Sequence, residues 1–162
     1  MPRHSEQRDL PYPPLLLFDV VADIERYPEF LPWCVAARIR ERNDNLVVAD
    51  MMIGFRGLKE SFTSRVTLNR LELKIDVAYE DGPFKYLNNH WIFEENNDGN
   101  CRLDFFVEFE FRSRILATLM DMLFQKAVQR MVAAFESRAA KLYNSDALST
   151  HQTRRISQQG LE

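Results

Sequence analysis

Residues 101–111 read CRLDFFVEFEF, and nearly every second side chain is apolar. Cys101, Leu103, Phe105, Val107, Phe109 and Phe111 fall on one phase, with Arg102, Asp104, Glu108 and Glu110 on the other. A helix cannot present a period of two as one dry face; a strand with one wet side can. The pattern recurs. In 61–70, Phe62, Val66 and Leu68 oppose Thr63, Arg65, Thr67 and Asn69. In 71–80, Leu71, Leu73, Ile75, Val77 and Tyr79 oppose Glu72, Lys74, Asp76 and Glu80. In 33–41, Trp33, Val35, Ala37 and Ile39 oppose Cys34, Arg38 and Arg40. Segments 45–53 and 86–95 read as strands of less regular alternation. Gly54–Gly57, Asp81-Gly82-Pro83 and Asn96–Asn100 supply the turns. Half-buried strands joined by short turns pair antiparallel, and the resulting sheet has a dry face that needs a cover.

Two segments change the period. Pro13-Pro14 opens a helix, since proline suits the first turn, and Leu17, Val20, Val21 and Ile24 follow at helical spacing. From Ser113, an N-cap, residues 114–143 read as one long helix. Leu116, Leu119, Leu123, Ala127, Met131, Ala134 and Leu142 make its stripe, and Ile115, Met120, Met122 and Phe124 widen it. This is the one helix long enough to cover the sheet. The predicted fold is therefore α+β: a helix, about six or seven strands in a curved antiparallel sheet, and a long C-terminal helix in its grip. A twisted sheet curling around a single helix leaves a cavity between them. Residues 1–12 are polar and weakly patterned, with room for one edge strand. Residues 145–162 are polar enough to predict a disordered tail beyond a domain at 1–144, and Leu161-Glu162 is consistent with a cloning remnant.

The same residues narrow the chemistry. Net charge is −3, so no global field draws DNA. Cys34 and Cys101 stand outside any CxxC pattern, and His4, His90 and His151 show no metal-ligand spacing, so two free thiols and no metal are expected. No signal-peptide pattern opens the chain, and LLLF at 15–18 is too short to span a bilayer, which predicts a soluble, cytoplasmic protein. The inward phase is almost wholly hydrocarbon or aromatic. His90 and Asp50 are the polar exceptions, and neither has a catalytic partner in the pattern, so no enzyme is expected. His90 alternates with Trp91, and tryptophan is the better candidate for the inward position.

ERYPEFLPWC (25–34) packs two prolines and three aromatic residues where a turn would use Gly, Asn or Asp. It belongs to VADIERYPEFLPWC (21–34), which together with IGFRGLKESFTSRVTL (53–68), DGPFKYLNNHWIFE (81–94), DFFVEFEFRSRIL (104–116) and RMVAAFESRA (130–139) resembles the START-like helix-grip superfamily, which includes polyketide cyclases, and within it the coenzyme Q-binding branch. The likeness covers about residues 10–143. The ribosome-association toxin branch shares YPxFLP and DGPF, while Trp33 and NNHW lean toward the quinone-binding side.

The resemblance implies a cavity that holds ubiquinone or a related isoprenoid lipid, with no catalytic cofactor. It implies a chaperone or carrier for respiratory electron transport, peripheral at the inner face of a bacterial cytoplasmic membrane. Two alternatives stand beside it: a ribosome-binding protein that blocks subunit association, and a polyketide cyclase or aromatase-type enzyme. Candidate lining or mouth residues are Tyr27, Phe30, Trp33, Phe62, Val66, Trp91, Phe105, Phe109, Leu119, Leu123 and Met131. The Tyr27–Trp33 segment serves either as a rigid corner or as a gate. Phe55, Arg56 and Lys59, on the GFRG turn, are candidates for membrane contact, with an ordinary hairpin turn as the other reading.

Overall fold

A computed structural model describes the backbone of residues 2–55 and 57–159, and the side chains of 2–54 and 57–144. Seven strands form one antiparallel sheet in the order β1-β7-β6-β5-β4-β3-β2: β1 (Arg3–Leu10), β2 (Cys34–Arg42), β3 (Leu46–Phe55), β4 (Leu58–Asn69), β5 (Lys74–Asp81), β6 (Phe84–Glu95) and β7 (Cys101–Phe111). From β2 to β7 each strand pairs with the next through a short turn. The weakly patterned N-terminus is the far edge strand, pairing with β7 over its whole length. Helix α1 (Pro14–Ala22), with Pro14 in its first turn, and a 3₁₀ helix (Ile24–Glu29) link the two edges. Helix α2 (Arg114–Gln159) follows β7. The layout is the helix grip of START-like domains.

Inward residues obey the alternation through most of the sheet. Phe62, Val66 and Leu68 of β4, Trp91 and Phe93 of β6, and Cys101, Leu103, Phe105, Phe109 and Phe111 of β7 are buried. His90 faces solvent and shares a hydrogen bond with Asp76 at 2.5 Å. Leu17, Phe18, Val20 and Val21 of α1 close one end of the core, with Phe18 edge-on to Phe93.

Four expectations are corrected. In β2, Cys34 is buried and Val35 is 50 % exposed, because a bulge between Cys34 and Ala36 inverts the phase. Leu71 is 99 % exposed: β5 begins only at Lys74, so Leu71 belongs to the turn, which Leu73 completes with a positive φ of 56°. Thr63 lies on the wet phase yet is buried, since its hydroxyl donates to Asp50 Oδ1 at 2.5 Å under the Arg40–Asp50 ion pair. The long helix does not end at residue 143. No Gly or Pro occurs between Ser113 and Gly160, and the helix continues to Gln159. The proposed remnant at 161–162 lies outside the described residues.

The rotation of α2 also differs from the expected stripe. Among the described residues its buried side chains are Phe124, Val128, Val132, Phe135 and Ala139, whereas Ile115 and Met122 are exposed. The helix meets the sheet through Phe124 on Phe109, with ring centroids 5.4 Å apart, and through Phe135 on Trp91, at 5.2 Å.

Candidate functional site

Between the concave face of the sheet and the first half of α2 lies a cavity of about 350 Å³, open on one side. Its floor is aromatic. Phe84 stacks on Phe111 at 4.7 Å and meets Phe62, Tyr79 and Phe109 edge-on at 5.5, 5.5 and 5.6 Å. The position of Phe84 is itself fixed. Its amide donates to the Tyr79 hydroxyl and its carbonyl accepts from Arg112 Nε at 3.0 Å. Just before it, Gly82 has φ +142°, and a Cβ there would come within 2.5 Å of Phe62 Cβ. The glycine of DGPF thus lets the β5–β6 turn approach β4 closely.

Ser113 starts the roof: its side chain accepts from the Leu116 amide and its carbonyl from the Ala117 amide. Leu116, Leu119, Met120, Leu123, Ala127 and Met131 then face the floor. The mouth lies toward β2–β4, where Trp33, Ile53, Gly54, Leu58 and Glu60 look across at Lys126 and Arg130. Ala127 and Gly54 are too short to close that gap, which is why the void persists. Gly54 cannot readily be larger: a Cβ there would sit 2.8 Å from Val35 Cγ2.

Glu60, Lys126 and Arg130 are the ionisable lining residues, and among the described residues none of them forms a hydrogen bond or ion pair. The cavity therefore offers shape and hydrocarbon contact, with charge only at its rim. Ionisable groups elsewhere lie apart from it. Asp50 is on the outer face, its carboxyl held below the usual carboxylate range first by the Thr63 hydrogen bond and then by Arg40. Burial pushes the Cys34 thiol up to about 11 and the Cys101 thiol up to about 12, so both are poor nucleophiles near neutrality. Among the described residues no group of His, Cys, Asp or Glu side chains is placed to hold a metal, and no helix is long and apolar enough to cross a membrane.

Residues 10–136 match the family described as polyketide cyclase / dehydrase and lipid transport. The chain belongs to that family.

The chain is similar to a ribosome association toxin RatA of Rickettsia prowazekii, 43 % identical over 137 residues, covering 82 % of this chain and 92 % of that one. A coenzyme Q-binding protein COQ10 homolog B, mitochondrial, of Xenopus laevis is 30 % identical over 143 residues, covering 86 % of this chain and 59 % of that one. The solution structure of the 18 kDa protein CC1736 from Caulobacter crescentus superposes with a TM-score of 0.73 at 37 % identity, covering 89 % of this chain and 99 % of that one.

Within this family member the cavity brings together Trp33, Phe62, Phe109, Leu119, Leu123 and Met131 of the candidates read from the sequence. The others lie elsewhere. Val66 is core, and Trp91 and Phe105 pack on each other at 4.5 Å beneath α2. Tyr27 donates its hydroxyl to the Val21 carbonyl and, with Phe30, surrounds Phe135 at 5.5 and 5.4 Å. Tyr27 and Phe30 thus pack against α2, with Arg138 over the Phe30 ring, and Trp33 of that segment reaches the cavity lining. The Phe55 side chain and Arg56 lie outside the described residues; Lys59 is exposed and alternates with the lining residues Leu58 and Glu60. Phe84, Phe111 and Ile53 were missed as lining residues, although DGPF and the unbroken alternation of β7 pointed to the first two.

Proposed function

We propose that the cavity binds an isoprenoid quinone such as ubiquinone, or a lipid of like shape, and that the protein is a non-catalytic chaperone or carrier for it. The observation that carries this reading is the lining: an aromatic floor and an aliphatic roof, with ionisable groups only at the rim. Such a site gains about 0.8 kcal/mol for each CH₂ it removes from water, and needs no strong polar anchor to compete with a bilayer. Its volume falls at the lower end of the roughly 300–1,000 Å³ range of small-molecule sites, so it suits a headgroup or the first units of a tail rather than a whole polyisoprenoid. The relative named as a coenzyme Q-binding protein supports the same ligand class. On this reading the protein works at the cytoplasmic face of a membrane, in support of respiratory electron transport.

The test is to purify the protein without detergent and extract it with organic solvent. Absorbance before and after borohydride reduction, with mass spectrometry of the tail, should reveal a quinone. An empty extract, together with no uptake from quinone-loaded vesicles, would refute the reading.

The relatives named ribosome association toxins support a second reading, in which the domain binds a ribosomal subunit. It predicts co-sedimentation with subunits at physiological salt, where weak nonspecific attraction is screened.

A further inference from the structure

Two lips bound the mouth of the cavity. One is the side of α2 turned away from the core. Phe124 and Phe135 face Phe109 and Trp91, so Ile115 and Met122, two turns apart, lie on the roughly opposite side of the helix. Each is 79 % exposed. Leu119, Lys126 and Arg130 lie between this stripe and the cavity, and line its edge. The other lip is formed by the start of β4, where Leu58 is 43 % exposed. Single exposed apolar residues are ordinary on any surface; three large ones beside one opening are not.

The mouth also carries charge. Arg26, Arg40, Arg65, Arg70 and Lys85 each pair with a carboxylate. Lys126 and Arg130, like Arg114 and Lys141 elsewhere on α2, have no such partner among the described residues, and Glu60 is the sole carboxylate lining the mouth among them. A chain of net charge −3 thus presents unpaired positive charge where its cavity opens.

We propose that this face docks on an anionic lipid bilayer, with Ile115, Met122 and Leu58 entering the interface and Lys126 and Arg130 meeting the headgroups. The inference rests on the lipid-binding reading above, because a ligand leaving the mouth would enter the bilayer without crossing water. The composition of the lips favours a membrane over nucleic acid. Exposed alkyl side chains flanked by cations suit the bilayer interface, whereas recognition of unpaired RNA uses rings and guanidinium planes that stack on bases.

The experiment is sedimentation with phosphatidylcholine vesicles, with and without phosphatidylglycerol, at low and high salt. Wild type should bind the anionic vesicles and lose most of that binding in high salt. The double variant Ile115→Ser/Met122→Ser should bind them at least about tenfold more weakly. Its melting temperature and its uptake of quinone from ethanol solution should be unchanged, since neither side chain is buried or lines the cavity. Lys126→Glu should weaken binding to anionic vesicles alone. Failure of wild type to bind, or normal binding by both variants, would overturn the inference. So would loss of ribosomal-subunit binding in the variants while wild type leaves vesicles unbound, which would reassign the face to RNA. Quinone content, read separately, keeps the two proposals apart. Docking without quinone overturns the ligand reading; quinone without docking overturns this one.

Discussion

If the cavity binds a quinone as proposed, replacing Ala127 with phenylalanine should weaken that binding without unfolding the protein. Ala127 stands on the roof between Leu123 and Met131, facing the aromatic floor across open space. A ring placed there adds about six carbons inside the void and displaces a comparable length of ligand. At about 0.8 kcal/mol for each carbon the ceiling is ~5 kcal/mol, and partial sliding of the ligand lowers the expected loss to ~2–4 kcal/mol, or roughly 30- to 1,000-fold in Kd. The host should not suffer the ~1–3 kcal/mol cost of overpacking, because the ring fills space that no side chain occupies. Quinone titration followed by quenching of Trp33, which lines the mouth, gives Kd, and thermal unfolding gives stability. Tight quinone binding with an intact fold would place the ligand outside this cavity. A melting temperature lower by more than ~10 °C would show that the space opposite Ala127 is already filled, and the cavity argument would fall with it.

Three further outcomes follow from the geometry. Gly82→Ala must put a Cβ 2.5 Å from Phe62 Cβ at a φ of +142°, so we expect ~2–5 kcal/mol of destabilisation and a melting temperature lower by roughly 5–15 °C; a change within ~2 °C would contradict the close approach. Tyr27→Phe should cost ~1 kcal/mol by leaving the Val21 carbonyl without its donor, and should leave quinone affinity untouched if that corner is structural; altered affinity would make it a gate. Asp50 has its folded pKa depressed, so it contributes stability above the unfolded value of about 3.9 and loses it as pH falls through the folded value. Thr63→Val removes the largest cause of that depression, and carboxyl NMR should then show Asp50 titrating at higher pH and the acid limb of stability becoming shallower; an unmoved titration would assign the effect to Arg40.

Much of this protein could be read before any coordinate was known, because side-chain phase is a local property. Cys101 to Phe111 alternate whatever else the chain does, and a strand with one dry face follows. The turn at Asp81-Gly82-Pro83 and the helix opened by Pro14 are equally local, set by which φ values those residues allow. The N-terminal strand was faint because an edge strand buries little: on β1 only Leu10 is buried.

What the local pattern could not decide is which surfaces meet. The first half of α2 is apolar around most of its circumference, so its period is compatible with several rotations. Contact of Phe124 and Phe135 with Phe109 and Trp91 selected one of them, making Leu119, Leu123 and Met131 cavity wall and leaving Ile115 and Met122 at the surface. The bulge that buries Cys34 and exposes Val35 depends on pairing with β3, and Tyr27 is held against α2 because Phe135, more than a hundred residues away in the chain, packs on it. The cavity itself belongs to no segment. It is the space left where a sheet anchored by the Phe84 cluster and a helix anchored further along by Phe135 diverge, and only the two anchors together create it.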